Sequence, residues 1–309
     1  VAVDVEAELV EGLGRLAVAG GGGEPEVLAD RPDGTVVRAG TVVAKAHAAD
    51  SDHTELGARL RIASAPPLGG ILLAPVPGGP PEAFLLGRRV TLWPYAEPVD
   101  RDDPDAAPWE DAAVLLARLH TVRVDSLPGP VPPMRGPAKV ARALDRLSGL
   151  DDAAAHDVVF RAAAGLPGWA RGEGPQPPSR VLVHGDLHLG QLVRYGGGPW
   201  LLIDVDDLGL GEPAWDLARP AAWFATGLLA PEVWSRFLGS YRAAGGPAVP
   251  GEGDPWGALD VPARALTVQS AALAVVRARR EGRALDEVDE LLLETCARMA
   301  GRARVDVVS

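Results

Sequence analysis

VLVHGDLHLGQLVRYGGGPWLLIDVDDLGLGEPAWDLAR, residues 181–219, is the stretch on which the reading of this chain turns. Three apolar runs in it, Val181–Val183, Leu192–Val193 and Trp200–Ile203, have the length of buried strands. Between the second and third, Tyr195-Gly-Gly-Gly-Pro199 supplies the glycines that a hairpin turn needs for positive φ. The polar residues collect at the strand ends: His184, Asp186, His188 and Gln191 after the first, Asp204, Asp206 and Asp207 after the third. Strands hold their ends rigidly, so the two polar sets are expected to face one point. Carboxylate and amide oxygens converging without thiolates suit a hard cation such as Mg²⁺.

The spacing is more specific than the composition. His184-Gly-Asp186-Leu-His188-Leu-Gly-Gln191 resembles, in frame, the catalytic loop H-R-D-L-x-x-x-N of kinases, with Gln in the last place. Asp204 then stands where the metal-binding Asp of D-F-G stands. The His-Gly-Asp start, His188, the acidic Ile203-Asp-Val-Asp-Asp207 and the following Glu212-Pro-Ala-Trp-Asp216-Leu-Ala resemble the aminoglycoside phosphotransferase family more than protein kinases. The segment His188 to Arg194 is also similar to maltokinase and amino-sugar kinase relatives. The resemblance implies an α+β, protein-kinase-like two-lobe fold: a small N-terminal lobe with an antiparallel sheet over residues 1–96, and a larger, mainly helical lobe over 97–309. It implies transfer of a phosphoryl group from ATP or GTP, with Mg²⁺, to a small-molecule hydroxyl.

Composition narrows the partners. At 309 residues with a net charge of −12, the chain lacks the clustered cations that a nucleic-acid backbone requires. One cysteine, Cys296, excludes an internal disulfide and a multi-cysteine zinc site. The opening VAVDVEAELVEG lacks a basic signal-peptide n-region, and no apolar run approaches the roughly 18 residues of a membrane span. The expectation is a cytoplasmic monomer or homodimer. The basic residues are 28 Arg and only 2 Lys, Lys45 and Lys139, and asparagine is absent. A lysine that persists against such a bias is a stronger functional candidate than one in a lysine-rich chain.

In chain order, Val5, Leu9, Leu13 and Leu16 predict a helix over 4–18, ended by the linker-like Gly20–Gly23. Val27–Ala29, Thr35–Arg38 and Thr41–Lys45 follow as strands, and 71–76 and 84–93 complete a five-stranded sheet. The turn Arg31-Pro-Asp33-Gly34 is the candidate loop over the nucleotide phosphates, or an ordinary hairpin turn. Val42-Val-Ala-Lys45 resembles the kinase strand whose lysine pairs with the α- and β-phosphates. By the same resemblance Glu55, on a helix over 52–63, orients Lys45; the local alternative is a capping box between Asp52 and Glu55. Leu92-Trp93-Pro94-Tyr95 matches the adenine-binding hinge. Pro94 has no N–H, so Tyr95 is the expected backbone donor, and Trp93 and Tyr95 either stack on the base or plug the core. Helices are expected over 109–122, 140–147, 151–164, 214–229, 231–244, 262–280 and 285–301, with a Gly- and Pro-rich loop over 245–261.

The resemblance assigns Asp186 to orient the acceptor hydroxyl, Gln191 and Asp204 to hold Mg²⁺, and Lys45 to hold the phosphates. Gln in place of Asn shifts the amide oxygen by about 1.5 Å. Asp206 is a candidate for the metal's surroundings, Asp207 for a cap, His188 for a phosphate or acceptor contact. His184 anchors the loop, His120 is structural, and Asp216 ties its helix to the catalytic loop. Zinc on His184, Asp186 and His188 is a rival reading that leaves Lys45 unexplained. The acceptor pocket is expected near Arg219, Trp223 and the 245–261 loop. Acidic residues after Arg280 (Glu281, Asp286, Glu287, Asp289, Glu290) would receive a polyamine, or form a solvated helix face. An aminoglycoside or amino sugar is the leading acceptor, then a neutral sugar such as glucose or maltose, then homoserine- or choline-like compounds. A nucleotide-binding pseudokinase and a protein kinase are the other classes; the latter lacks an A-P-E segment after Asp204.

Overall fold

The computed structural model describes residues 2–31, 33–77, 83–100, 102–103, 106–150 and 153–303. In chain order its elements begin α1 (Ala2–Gly21), β1 (Pro25–Arg31), β2 (Gly34–Ala39), β3 (Val42–His47), α2 (His53–Ala63), β4 (Ala83–Leu85), β5 (Arg88–Pro94) and β6 (Glu97–Pro98). Next come α3 (Trp109–His120), α4 (Gly136–Ser148), α5 (Ala153–Ala164), β7 (Leu182–Val183), β8 (Leu192–Arg194), β9 (Trp200–Leu202) and β10 (Gly209–Leu210). The chain closes with α6 (Ala214–Thr226), α7 (Pro231–Ala243), α8 (Trp256–Glu281) and α9 (Glu287–Ala303). Two compact units form: Val1–Ala107 with Asp125–Pro132 and Leu189–Asp206, and Pro108–Val124 with Pro133–His188 and Asp207–Ser309. The β8–β9 hairpin and residues 97–107 thus group with the first unit, whereas the sequence put the boundary at 96/97.

The first unit is built on an antiparallel five-stranded sheet in the order β1-β2-β3-β5-β4. Strict alternation along β2 turns Val37 and Ala39 inward. There they meet Leu9, Leu13 and Ala17, one stripe of α1, together with Ala44, Ala46 and Val90. Val5, read as part of that stripe, is exposed. The glycine run is more than a linker: a Cβ on Gly21 would lie 2.4 Å from the Ala39 carbonyl, so helix end and β2–β3 turn touch backbone to backbone.

Two details of the sheet differ from expectation. Residues 71–76 form no strand; Leu72 makes isolated bridges to Gly69 and Leu202, and Leu73 and Val76 donate single hydrogen bonds to the Leu202 and Leu92 carbonyls. Pro75 and Pro77 offer no N–H for a ladder. The fifth strand is instead β4, because the 84–93 run folds back on itself at Leu86 (φ 50°) and Gly87 (φ 76°), the two left-handed positions of a tight hairpin turn. Gly196 (φ 56°) and Gly197 (φ 71°) play the same part between β8 and β9, as their sequence predicts.

The second unit is helical around α8, which packs on α4, α5, α6 and α9 and buries Ala265, Leu266, Val268, Ala271, Ala272 and Val275. α8 is also long and apolar enough to cross a membrane, contrary to the sequence expectation, but its apolar window is 67% buried within the protein. It begins at Trp256, so the expected 245–261 loop is shorter. Pro262 lies in the helix, and Trp256 stacks on Phe224.

Candidate active site

The residues singled out by sequence fall into two groups, one in each unit. In the first unit, β3 carries Lys45 and the chain leaving β9 carries Asp204 and Asp206. Lys45 Nζ lies 2.7 Å from Asp204 Oδ1 and 3.2 Å from Asp206 Oδ2. Burial alone would lower the Lys45 pKa, but the two carboxylates outweigh it and raise it above the ordinary lysine value. Asp206 is correspondingly held far below the usual carboxylate range: burial opposes ionisation, and Lys45 and His47 overcome it. Asp204 has φ 65°, a left-handed conformation rare for a residue with a side chain, which aims its carboxylate at Lys45. The Gln191 amide comes within 3.4 Å of Asp204 Oδ2.

A buried chain of hydrogen bonds backs this group. His47 is fully buried; its Nδ1 meets Asp206 at 2.9 Å and its Nε2 meets Thr91 Oγ1 at 2.8 Å. Trp93 Nε1 donates to the same hydroxyl at 2.8 Å. Since Trp93 can only donate, Thr91 is able to donate onward to Nε2, which puts the imidazole proton on Nδ1, facing Asp206. Sequence reasoning missed His47, although it lies two residues from Lys45 on the same strand face.

Several expectations for this group change. Glu55 is not paired with Lys45: its carboxylate takes Arg59 at 3.0 Å, one helical turn on, and its N–H is capped by Asp52. Local capping and i,i+4 pairing claimed it, while Asp204 and Asp206 supplied the lysine's counter-charge. Tyr95 N–H donates to the Thr41 carbonyl at 2.8 Å, because β3 and β5 remain paired through Val42 and Pro94, so it is not an open donor for adenine. Trp93 is buried in the core, and the Tyr95 ring lies 3.4 Å beneath the Arg38 guanidinium. In the Arg31–Gly34 turn, Pro32 lies outside the described residues and Asp33 is exposed. A Cβ on Gly34 would rest 3.6 Å from Lys45 Cε, so this glycine flanks the lysine.

The second group centres on Asp186. Arg219, on α6, donates to Asp186 Oδ1 at 2.8 Å and to the Leu187 carbonyl at 3.0 Å. Lys139, on α4, donates to Asp186 Oδ2 at 2.6 Å and to Asp207 Oδ2 at 2.9 Å. Burial would raise the Asp186 pKa, but Lys139 and Arg219 together drive it well below the usual carboxylate range. His188 goes the other way for a histidine: burial pulls it down to about 4, against the pull of Asp186, so it is neutral at pH 7. Trp223, one turn beyond Arg219 on α6, packs edge-on against Trp109.

The loop's shape is fixed from behind. Asp216 is fully buried and accepts the N–H groups of His184 at 2.6 Å and Gly185 at 2.7 Å. His120 Nε2 joins it at 3.0 Å, and His120 Nδ1 meets the Tyr241 hydroxyl at 2.7 Å. This is the tie between α6 and the loop that the sequence suggests, and His120 is structural. Gly185 has φ 85°, and a Cβ there would meet the Asp207 carbonyl at 2.5 Å, which is why glycine separates His184 from Asp186.

Among the described residues no group of three or more His, Cys, Asp or Glu side chains is placed to hold a metal, so His184, Asp186 and His188 do not form the cluster that the zinc reading requires. Gln191 Nε2 donates to Asp204 Oδ2 at 3.4 Å, so the Asp204 carboxylate and the Gln191 amide, which also carries an oxygen, lie side by side. That suits Mg²⁺, which takes one or two protein ligands and completes its shell with phosphate and water. Of the acidic residues after Arg280, three are engaged: Arg283 bridges Glu281 at 3.0 Å and Asp289 at 2.7 Å, and Asp286 caps α9 through the Val288 and Asp289 N–H groups, while Glu287 and Glu290 are exposed. The other missed residue is Lys139. Its signal was present, since it is the other of the chain's two lysines.

A five-stranded antiparallel sheet with a strand lysine on a hairpin aspartate, followed by a helical part, defines a protein-kinase-like phosphotransferase. The chain belongs to the phosphotransferase enzyme family, whose model matches residues 42–256, and is a small-molecule kinase of that family. Solved structures share the fold at low identity. A choline/ethanolamine kinase family protein from Mesorhizobium loti is 17% identical with TM-score 0.58, covering 96% of this chain and 93% of its own. A thermostable mutant of aminoglycoside phosphotransferase APH(4)-Ia is 13% identical with TM-score 0.61, covering 94% and 98%. Spectinomycin phosphotransferase APH(9)-Ia, in complex with ADP and spectinomycin, is 13% identical with TM-score 0.58, covering 95% and 98%. No curated protein matches the sequence.

Proposed function

We propose that this protein transfers the γ-phosphoryl group of ATP to a hydroxyl of a small, sugar-sized molecule. One observation carries the reading: in a chain with only two lysines, each is salt-bridged to a carboxylate that the sequence spacing marks as catalytic, Lys45 to Asp204 and Lys139 to Asp186. ADP in the spectinomycin phosphotransferase, and AMP-PNP in an APH(4)-Ia complex with hygromycin B, support an adenine nucleotide as donor. Phosphoryl transfer asks a protein for positioning and charge neutralisation. Lys45 holds the α- and β-phosphates, with Gly34 beside it. Asp204 and Gln191 would hold Mg²⁺, which supplies counter-charge for the phosphates. Asp186 accepts the hydrogen bond of the acceptor hydroxyl and aims its oxygen, while Arg219 and Lys139 keep Asp186 ionised and fixed. Retention of Lys45, Asp186 and Asp204 weighs against a pseudokinase.

Within this function the aminoglycoside or amino-sugar acceptor loses part of its support, because Glu281, Asp286 and Asp289 are engaged with Arg283 and the α9 cap. A neutral sugar takes its place. The test is coupled ADP release with Mg-ATP across aminoglycosides, amino sugars, neutral sugars and amino alcohols, with Asp186→Ala as control. Turnover of one class, abolished by the substitution, is the expected result. Undiminished turnover in Asp186→Ala, or a protein that binds no ATP, would refute the assignment.

A further inference from the structure

The charge around Asp186 bears on the acceptor. In the second unit Lys139 and Arg219 sit on Asp186, Lys139 also sits on Asp207, and Arg135 Nε lies 3.7 Å from Asp207 Oδ1. That is three permanent cations against two carboxylates, with His188 neutral beside them. The excess is not sealed away: the side chains of Lys139, Arg135 and Arg219 keep 25%, 20% and 18% of their surface exposed. Lys139 has spent two of its three ammonium hydrogens on Asp186 and Asp207, and Arg219 has spent its Nε and one Nη2 hydrogen. Donors therefore remain beside the oxygen that Asp186 orients.

The reaction itself puts anionic charge at that oxygen. The acceptor O–Pγ bond forms, the bond from Pγ to the ADP oxygen breaks and leaves its electron pair on ADP, and the hydroxyl proton passes to solvent. A phosphate monoester is left next to an ionised carboxylate, and the pair repel unless cations stand between them. A polyamine would bring its ammonium groups to a place that already carries surplus positive charge.

We propose that Lys139 and Arg219 form an oxyanion cradle beside Asp186, and that the acceptors taken there are hydroxyl compounds without ammonium groups, neutral polyols or hydroxy acids, rather than aminoglycosides. This rests on the kinase reading and deepens it. Lys139 is a specificity-determining residue in this scheme, acting both on Asp186 and on the ligand.

The test uses the full chain with saturating Mg-ADP, so that the phosphate-binding residues around Lys45 are occupied, and titrates inorganic phosphate and, separately, neomycin by calorimetry. Phosphate should bind wild type in the millimolar range, about tenfold more weakly to Lys139→Met and about tenfold more tightly to Asp186→Asn, which removes the competing anion and keeps the shape. Lys139→Arg should restore part of the phosphate binding. ADP affinity in each variant reports whether it is folded. Neomycin should bind none of them more tightly than phosphate. Phosphate binding that ignores Lys139→Met, or its absence at any concentration, would overturn the proposal. So would neomycin binding that Asp186→Asn weakens, or turnover that favours amine-bearing acceptors. Failure of ADP to bind the wild type would instead count against the kinase reading, with the phosphate titration still deciding the cradle.

Discussion

Asp216 is the position where one atom should matter most. Its two carboxylate oxygens accept three hydrogen bonds, from the N–H groups of His184 and Gly185 and from His120 Nε2, and no solvent reaches it. Asp216→Asn keeps the volume but replaces one acceptor oxygen with an NH₂ group, so at least one buried donor faces another donor. An unsatisfied buried polar group costs about 1–3 kcal/mol, and bonds to an ionised acceptor lie at the upper end, so a loss of about 2–4 kcal/mol is expected. That is a large share of the roughly 5–15 kcal/mol that stabilises a typical domain. Asp186 is two residues from His184, so the same change displaces the carboxylate that aims the acceptor; a misplacement near 1 Å is worth about 100-fold in kcat. Urea unfolding with an unchanged m-value gives the first quantity, and the ADP-release assay gives the second. A loss below about 1 kcal/mol with kcat within about twofold of wild type would refute the claim that Asp216 holds the loop.

Other substitutions probe the same scaffold. Tyr241→Phe should cost about 1–2 kcal/mol in urea unfolding, because the hydroxyl that joins His120 Nδ1 to the Ala248 N–H is lost inside the core. Gly185→Ala should cost about 2–4 kcal/mol, from a left-handed φ that alanine resists and a Cβ overlapping the Asp207 carbonyl, and should lower kcat with it. His188 makes stability depend on pH. Its folded pKa of about 4 lies below the ordinary 6.5, so the unfolded chain takes up a proton that the folded chain refuses. The contribution is complete above pH 6.5 and is lost as pH falls towards 4, by about 2–3 kcal/mol after allowing for partial exposure. His188→Gln should flatten that slope between pH 6.5 and 4; an identical slope in wild type and variant would contradict it.

Much of this was legible in the sequence because short spacings fix geometry. A strand, a glycine hairpin and a returning strand bring Asp204 back beside Gln191 through the β8–β9 register, whatever surrounds them. The Val42-Val-Ala-Lys45 strand likewise needs only the alternation of β3 against β2 and β5. Tyr95 shows the limit of such reading: whether its N–H is open depends on how far β3 stays paired with β5, which no local pattern records. Glu55 shows another, since a carboxylate three residues into a helix serves a cap and an i,i+4 arginine as readily as a distant lysine. The 71–76 run had β-prone residues but no partner whose ladder it could complete past Pro75.

Lys139 tests what the composition was worth. Nothing in the residues around it, on an ordinary amphipathic helix 47 positions before Asp186, marks it as part of a site. What marks it is chemistry at the level of the whole chain. Arginine outnumbers lysine 28 to 2, so a position that tolerated either cation would be expected to hold arginine. Both exceptions bridge two carboxylates at once, Lys45 at 2.7 and 3.2 Å and Lys139 at 2.6 and 2.9 Å. A compact ammonium can sit between two buried carboxylates from different segments; Arg283 also bridges two, but on the exposed surface, where its long fork has room. The scarcity that singles out Lys45 therefore singles out Lys139 with equal force.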